Sequence, residues 1–222
     1  METHTDLEPF LTPSATIDSD HPAIQRFAAE TAGQTAVPKE TARQLYYAVR
    51  DGIRYDPYAI DLSVEGLRAS ATLAKGRGWC VPKAVLLAAA CRALGIPSRL
   101  GFADVRNHLS TARMRAQMRT DVFYWHGYTT LYLEGRWVKA TPAFNIELCE
   151  RFRLQPLEFN GAEDAIYHPF DLAGHRHMEY LAYRGEFRDV PIDQIRETFR
   201  EAYTLAESGG AYDFDRDVAR ET

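Results

Sequence analysis

One stretch of the sequence constrains the fold more than any other. From Val81 to Ala93 the chain reads VPKAVLLAAACRA, which is apolar on almost every side of a helix, and Gly95 and Pro97 follow it. A helix with one apolar stripe lies on a protein surface, whereas a helix that is apolar all round is buried. Glycine and proline after the run supply the usual stop signal. The sequence therefore predicts a buried central helix around which the rest of the chain must fold.

Strand signals follow this helix. Residues 98–105 read SRLGFADV, and the longer segment DVFYWHGYTTLYLEGRWVKATPAF is interrupted at Glu134 and Gly135. Both segments are rich in aromatic and β-branched residues, and the Glu-Gly pair is a two-residue hairpin signal. A hairpin closed by this pair sets Tyr128 opposite Thr141. The helical segments come first along the chain and the strands of an antiparallel sheet follow. This order predicts an α+β fold in which the central helix packs on the sheet.

Helical segments flank this core on both sides. Helix start signals stand at Pro22 and Pro38, and a last helix is expected from Pro191 to about Leu205. The final residues combine paired glycines with alternating charges, a composition that cannot offset its ordering entropy by burying apolar area. The chain length fits one domain with extensions. We expect a single domain over residues 1–222, with a core over about 39–145, a C-terminal extension over 146–205 and a flexible tail over 206–222.

Charge and composition exclude several classes of partner. The 222 residues carry a net charge of −5, which gives no electrostatic footprint for nucleic acid or for an anionic membrane surface. Residues 1–20 are polar, and no later stretch reaches the length of a bilayer span. We therefore expect a cytoplasmic protein with no nucleic-acid and no membrane partner. The oligomeric state is left open.

The cysteines raise the question of a nucleophile. Cys80, Cys91 and Cys149 are odd in number and include no CxxC pair, so they indicate no disulfide framework. Cys80 stands where the central helix is expected to begin. There its sulfur meets unpaired N–H groups at the positive end of the helix dipole, which favours the reactive thiolate. The alternative is a small buried apolar residue, the commonest role of a free cysteine.

His126 is the candidate base for this nucleophile. It lies in the alternating segment YWHGYTTLYL, so a strand would hold its imidazole rigidly. Thr141 and Asn145 lie diagonally from it on the same face of the expected hairpin. A strand histidine alone is more often structural, but a thiol, an imidazole and a polar neighbour are the groups that nucleophilic catalysis needs. Trp79 and Trp125, next to the two reactive residues, are candidates for the walls of a substrate slot.

The segments GRGWCVPKAVLLAAACRALGIPSRLGFADV and HGYTTLYLEGRWVKATPAFN resemble the transglutaminase-like superfamily over about residues 39–145. The resemblance implies a papain-like α+β fold, a nucleophile at Cys80 and a base at His126. Members of the superfamily commonly carry an aspartate on the strand after the histidine, and this sequence has Thr141 there. We expect the Thr141 hydroxyl, or Asn145 as its substitute, to accept a hydrogen bond from the His126 ring.

Two further groups of residues carry weaker signals. His108 lies in an expected loop and is an alternative base. His168, Asp171, His175 and His177 have side chains that zinc accepts, but a His-x-His pair in a loop has no defined geometry. The sequence therefore predicts a site without a metal or another cofactor.

Three functions remain open at this point. The first is a cysteine peptidase or amidase that hydrolyses an amide through a Cys80 thioester. The second is an acyl-thioester enzyme, an amide synthase or a Dieckmann-type cyclase, that releases a substrate from a carrier protein. The third is a non-catalytic binding module, which the missing aspartate favours. The expected partners are peptide, amide or acyl-thioester substrates, either free or on a carrier protein.

Overall fold

A central helix packed on a four-stranded antiparallel sheet forms the core of the structure. The computed structural model describes residues 4–107, 110–118, 120–166, 178–203 and 213–221. In these ranges the helices α1 to α10, in chain order, are His4–Leu7, Pro22–Ala32, Pro38–Gly52, Val64–Leu67, Ala69–Lys75, Cys80–Ala93, Ala112–Met118, Ile146–Arg151, Ile192–Ala202 and Phe214–Glu221. The strands β1 to β6 are Arg54–Tyr55, Arg77–Gly78, Ser98–Asn107, Val122–Leu133, Arg136–Ala140 and Met178–Phe187. The α+β fold expected from the sequence is confirmed.

Helix α6 lies wholly inside the molecule. Every residue from Cys80 to Arg92 is buried, as the all-round apolar run predicts. Its alanines and leucines have high helix propensity, and Gly95 follows it with φ of 75°, a left-handed conformation that glycine adopts without strain. Lys83 is buried with the helix because its ammonium donates to two main-chain carbonyls at the end of α3. No helix in the described ranges is both long enough and apolar enough to cross a membrane.

The sheet has the strand order β5-β4-β3-β6, and every neighbouring pair is antiparallel. The β4–β5 hairpin turns at Glu134 and Gly135, which have φ of 51° and 84°. Two successive left-handed residues make the tight turn that matches the twist of a hairpin. The register pairs Thr129 with Ala140, so the expected hairpin register is confirmed as far as this pair, and the expected pair of Tyr128 with Thr141 lies one step past the end of β5. The Thr129 hydroxyl donates to the Ala84 carbonyl at 2.8 Å, which joins β4 to α6.

A β-bulge interrupts β4 immediately before His126. The register between β3 and β4 shifts by one residue opposite Asp104, and Trp125 has a left-handed φ of 60°. A non-glycine residue keeps this conformation only where its neighbours hold it. The buried Asp104 carboxylate accepts from the Trp125 N–H at 3.2 Å and pairs with Arg184 at 2.7 Å. The bulge breaks the strict alternation of side chains expected for β4, and bulges beside functional sites re-aim a side chain.

The segment between β1 and α6 is partly helical. Residues 56–75, which show no clear periodicity, contain the short helices α4 and α5. The Ser63 hydroxyl caps α4 by accepting from the Gly66 N–H at 2.9 Å, and Gly76 ends α5 in a left-handed conformation. Helices of one or two turns are too short to show a clear periodicity of apolar residues, and tertiary packing supplies most of their stability. Contacts between α5 and α6 provide that packing here.

The C-terminal segment is more ordered than its composition predicts. The flexible tail expected over residues 206–222 contains α10, in which Phe214 and Val218 are buried. Asp217 pairs with Arg113 of α7 at 2.7 Å. The expectation is wrong for this helix because its apolar side chains meet a surface built from distant parts of the chain, which composition does not reveal.

Candidate active site

An apolar cavity lies at the N-terminal end of α6, and both residues expected to react line it. Its described wall contains Cys80 and His126 together with side chains from β1, β3, β4, β6, α7, α9 and the adjoining loops. Apart from the reactive pair, these side chains are tyrosine, tryptophan, phenylalanine, methionine, proline, valine and isoleucine. The fold therefore brings a thiol and an imidazole together in a pocket with predominantly apolar walls.

Cys80 is the first residue of α6, and Trp79 precedes it as an N-cap residue in an extended conformation. The cysteine is 7% exposed. Backbone amides of Gly127, Val81 and Cys80 itself interact with the sulfur and lower the thiol pKa. Two of these amides belong to the first turn of the helix, where N–H groups have no partner within the helix. The thiol therefore occupies the helix-end environment that the sequence predicts.

Burial outweighs these amides. Loss of hydration raises the pKa of the Cys80 thiol from 9.0 to about 11, with the amides opposing the rise. The amides at the helix start favour the thiolate as expected, and burial, which the sequence does not show, opposes it more strongly. The thiol form of Cys80 therefore predominates at neutral pH. Cys80 consequently needs a base in the same cavity in order to react.

His126 is the residue in the cavity that can act as this base. It is 5% exposed, pairs in register with Ala103 on β3 and directly follows the bulge residue Trp125. Its position in a strand and its burial both restrict the movement of the imidazole ring. The structure thus places the candidate nucleophile and the candidate base on one cavity wall, which is the arrangement that thiol activation requires.

Thr141 does not make the hydrogen bond expected of it. Its Oγ1 atom is buried and has no partner in the described structure, so it accepts nothing from His126. The Thr141 main chain is engaged instead: its N–H donates to the Ala165 carbonyl at 3.0 Å, and its carbonyl accepts from the Tyr46 hydroxyl at 3.2 Å. Because β5 ends at Ala140, Thr141 lies past the hairpin ladder and the register no longer sets its direction.

Asn145 joins β1 to α8. Its Oδ1 atom accepts from the Tyr55 N–H at 3.2 Å, and its Nδ2 atom donates to the Glu147 carboxylate at 3.1 Å. Tyr55 lines the cavity. These bonds give Asn145 a role in holding the cavity wall through Tyr55.

The two candidate tryptophans have different surroundings. Trp79 lines the cavity, with its ring centroid 6.1 Å from that of Phe199. Trp125 is absent from the described wall. Its indole N–H donates to the Thr198 hydroxyl at 2.9 Å, and the Arg184 guanidinium lies 5.3 Å from its ring centroid. The Trp125 ring therefore packs against β6 and α9, and the expectation that it lines a substrate slot stays a prediction that the described cavity wall does not support.

The weaker candidates of the sequence lie outside the described residues. These are the alternative base His108 and the histidine-rich group His168, Asp171, His175 and His177. Within the described ranges, no cluster of three or more histidine, cysteine or carboxylate side chains could hold a metal ion.

Two residues beside the candidate pair of Cys80 and His126 were not found from the sequence. Gly127 contributes the amide that interacts with Cys80 from β4, and a Cβ atom at this position would lie 3.0 Å from Val81 Cγ2. Asp104 holds the bulge that precedes His126. A glycine inside a strand is a known sign of close backbone approach. The sequence thus contained a signal for Gly127 but none for Asp104.

Known proteins share this arrangement of helix and sheet. The family model described as the transglutaminase-like superfamily matches residues 25–142. A candidate cysteine protease from Cytophaga hutchinsonii superposes with a TM-score of 0.50 at 19% identity, over 83% of this chain and 55% of that protein. An arylamine N-acetyltransferase from Salmonella typhimurium superposes with a TM-score of 0.51 at 18% identity, over 82% of this chain and 70% of that protein.

The similarity to these solved structures shows a shared fold only. No curated protein sequence matches this chain. The chain spans 55% of the length of the Cytophaga protein. At such identities a shared fold says nothing about a shared substrate, because one fold supports many chemistries. The papain-like arrangement implied by the sequence is confirmed.

Proposed function

This chain belongs to the transglutaminase-like superfamily, and from that membership and the geometry of its cavity we propose that it transfers acyl groups through a thioester on Cys80. The observation that carries the proposal is the shared cavity. Cys80 begins the buried helix, backbone amides surround its sulfur, and His126 lines the same wall. Nucleophilic catalysis by cysteine requires such a thiol with a base beside it.

The proposed reaction begins from a neutral thiol. As the Cys80 sulfur attacks the carbonyl carbon of an amide, its proton passes to His126. The tetrahedral intermediate then expels the amine, which takes that proton, and leaves an acyl group on the sulfur. Water activated by His126 attacks the thioester carbonyl, so the carboxylic acid departs and the thiol is restored. The raised pKa of Cys80 makes the proton transfer to His126 part of the attack.

Thr141 has no step in this scheme. A triad carboxylate fixes the tautomer of the histidine and stabilises its charged form. The Thr141 hydroxyl carries no charge and has no hydrogen-bond partner in the described structure. The proposal therefore depends on the Cys80–His126 pair.

The acyl acceptor and the leaving group define two candidate reactions. Amide hydrolysis is the first, because it needs only water as the second substrate. Release of an acyl thioester from a carrier protein is the second, and the cavity favours it. Its described wall is apolar and carries no lysine, arginine, aspartate or glutamate, which suits the acyl chain that a carrier delivers.

The two reactions can be distinguished with two substrates that carry the same acyl group on different leaving groups. The purified protein is incubated with phenylacetyl p-nitroanilide, an amide, and with the phenylacetyl thioester of N-acetylcysteamine. Intact-mass spectrometry follows the acyl adduct and absorbance follows product release. We expect an adduct on the unmodified protein and on the Cys149→Ala control, and none on Cys80→Ala. Reaction with the thioester alone identifies the second candidate reaction.

The same experiment can overturn the proposal. An adduct that persists in Cys80→Ala removes Cys80 as the nucleophile. The absence of any adduct with either compound favours the non-catalytic binding module. Melting curves accompany each variant, and we expect the Cys80→Ala transition to stay within a few degrees of that of the unmodified protein because one small side chain at a helix end is lost.

A further inference from the structure

The charge of its wall limits which groups the cavity beside Cys80 can bind. No residue in its described wall carries a formal charge when His126 is neutral. Two of its tyrosine hydroxyls are already engaged within the protein. The Tyr58 hydroxyl donates to the Asp217 carboxylate at 2.9 Å, and the Tyr203 hydroxyl accepts from the Tyr124 N–H at 2.8 Å. A charged group entering this cavity would lose its hydration and find no opposite charge.

The size of the cavity limits the group that it can hold. Its volume is about 80 Å³. One water molecule in a cavity needs about 10 to 15 Å³ of such space. The cavity therefore has room for about five to eight non-hydrogen atoms, which is the size of a phenyl ring or a short branched chain.

The wall is also adaptable. Met114 and Met118 line the cavity from α7, and Met178 lines it from the start of β6. Methionine side chains have several rotatable bonds and a polarisable sulfur, so they fit against aromatic rings. The remaining wall is mostly aromatic, including Phe144 and Phe199. Aromatic walls contact a planar apolar group through stacked or edge-to-face arrangements.

We propose that this cavity binds the acyl part of the substrate, and that the acyl group is uncharged, apolar and about the size of a phenylacetyl group. The proposal rests on the proposed acyl transfer at Cys80, because the cavity reaches the sulfur that would carry the acyl group. It excludes acyl donors that place a carboxylate or an ammonium group in the cavity, such as acidic or basic side chains of a peptide.

Two acyl groups of equal size and different charge test the proposal. The phenylacetyl and adipoyl thioesters of N-acetylcysteamine have the same number of non-hydrogen atoms beyond the reacting carbonyl, and the adipoyl group ends in a carboxylate. The rate of Cys80 acylation is measured for each by intact-mass spectrometry, and reaction with free cysteine corrects for intrinsic reactivity. We expect the phenylacetyl group to react at least about tenfold faster because the adipoyl carboxylate must be desolvated.

A charge placed in the wall should change this preference. Met118 is half-buried at the end of α7, so the long stem of a lysine can be accommodated there. We expect Met118→Lys to lower the ratio of the phenylacetyl to the adipoyl rate at least about tenfold, since an ammonium group would pair with the adipoyl carboxylate. Ala116→Lys is the matched control, because it adds the same charge to an exposed position of the same helix and should leave the ratio unchanged.

Binding is measured separately from acyl transfer by protection of Cys80. Iodoacetamide alkylation of the thiol is followed in the presence of phenylacetamide or of adipic acid monoamide, and only phenylacetamide should slow it. Equal acylation by both thioesters, or no protection by phenylacetamide, overturns the proposed acyl pocket. Protection by phenylacetamide without acylation by either thioester supports the pocket and overturns the proposed acyl transfer, so the two failures are distinct.

Discussion

The Cys80 sulfur is subject to two opposing effects. Backbone amides at the helix start favour its thiolate, and burial in an apolar cavity favours its thiol. Burial has the larger effect on the pKa of the thiol, because three amide dipoles do not replace the hydration of a full negative charge. Under the proposed function, the Cys80 thiol would give up its proton to His126 only when a substrate is bound, and a protonated thiol is less open to oxidation and unspecific alkylation.

Alkylation of Cys80 should depend steeply on pH. Its pKa is raised to about 11, so we expect the iodoacetamide rate to increase about tenfold per pH unit from pH 7 to 10, as the thiolate fraction does. Mass spectrometry of peptides measures the rate at each cysteine. Cys91 and Cys149, which are fully buried, should react more slowly, and Cys80→Ser should lose the label. A rate that levels off near pH 7 would instead indicate a preformed thiolate–imidazolium pair.

Thr141 should behave as a buried hydroxyl without a function. Since its Oγ1 atom has no partner in the described structure, removing the hydroxyl avoids a desolvation cost of about 1 to 3 kcal/mol. We expect Thr141→Val to raise the free energy of unfolding by about 1 kcal/mol and to leave the acylation rate unchanged, as measured by urea denaturation and by adduct formation.

Thr129→Val is the matched control for this change. The Thr129 hydroxyl donates to the Ala84 carbonyl, so the same substitution leaves a buried carbonyl without this donor and should lower the free energy of unfolding by about 1 to 3 kcal/mol. A tenfold loss of acylation in Thr141→Val would show that the hydroxyl orients His126 after all.

At the scale of elements, the site depends on how closely α6 approaches β4. The first turn of α6 and the strand segment after His126 contribute amides to the same sulfur. Gly127 permits this approach, because a Cβ atom there would lie 3.0 Å from Val81 Cγ2 and 3.1 Å from Val81 Cα. The second of these atoms is backbone and cannot move without the helix. The contact between the two elements is thus set by the absence of one side chain.

Gly127→Ala should separate the two elements. We expect a loss of about 1 to 3 kcal/mol in the free energy of unfolding, which is the usual cost of overpacking, and a loss of acylation of about tenfold or more. Gly52→Ala provides the control, since a Cβ atom at Gly52 would meet nothing within 4 Å. If Gly127→Ala acylates as fast as the control, the close approach has no role in the reaction.

At the scale of the whole molecule, the cavity is assembled from parts of the chain that are far apart in sequence. The C-terminal helix α10 supports one side of it. Phe214 packs edge-on against Tyr55 and Tyr58, with ring centroids 5.8 Å and 5.3 Å apart. Both tyrosines line the cavity. The C-terminal helix therefore supports the wall of a cavity whose candidate reactive residues, Cys80 and His126, lie in the middle of the chain.

Phe214→Ala tests this support. Truncation of a buried phenylalanine costs about 3 to 5 kcal/mol, and at a terminal helix the expected result is local opening of α10. Hydrogen exchange should show faster exchange of the α10 amides and of the segment around Tyr58, with slower acylation by a phenylacetyl thioester. Arg216→Ala, at an exposed position of the same helix, should change neither. Unchanged exchange around Tyr58 in Phe214→Ala would contradict the supporting role.

The sequence by itself determined the elements whose signals are local. The all-round apolar run predicted α6, the Glu134–Gly135 pair predicted the hairpin and its register, and the prolines predicted the starts of α2 and α3. Each of these signals acts within one or two turns of chain, through helix propensity, left-handed turn geometry or a fixed proline φ. The position of Cys80 at the start of a helix was also predicted from such local signals.

The tertiary structure decided what depends on distant neighbours. The bulge at Trp125 requires Asp104 on another strand, the unpartnered hydroxyl of Thr141 depends on where β5 ends, and α10 is ordered by apolar surface from other segments. The pKa of Cys80 is the clearest case. Sequence shows the Cys80 and Val81 amides that lower it, because they are adjacent in the chain, but the Gly127 amide and the desolvation that raises it come from segments that only folding brings around the sulfur.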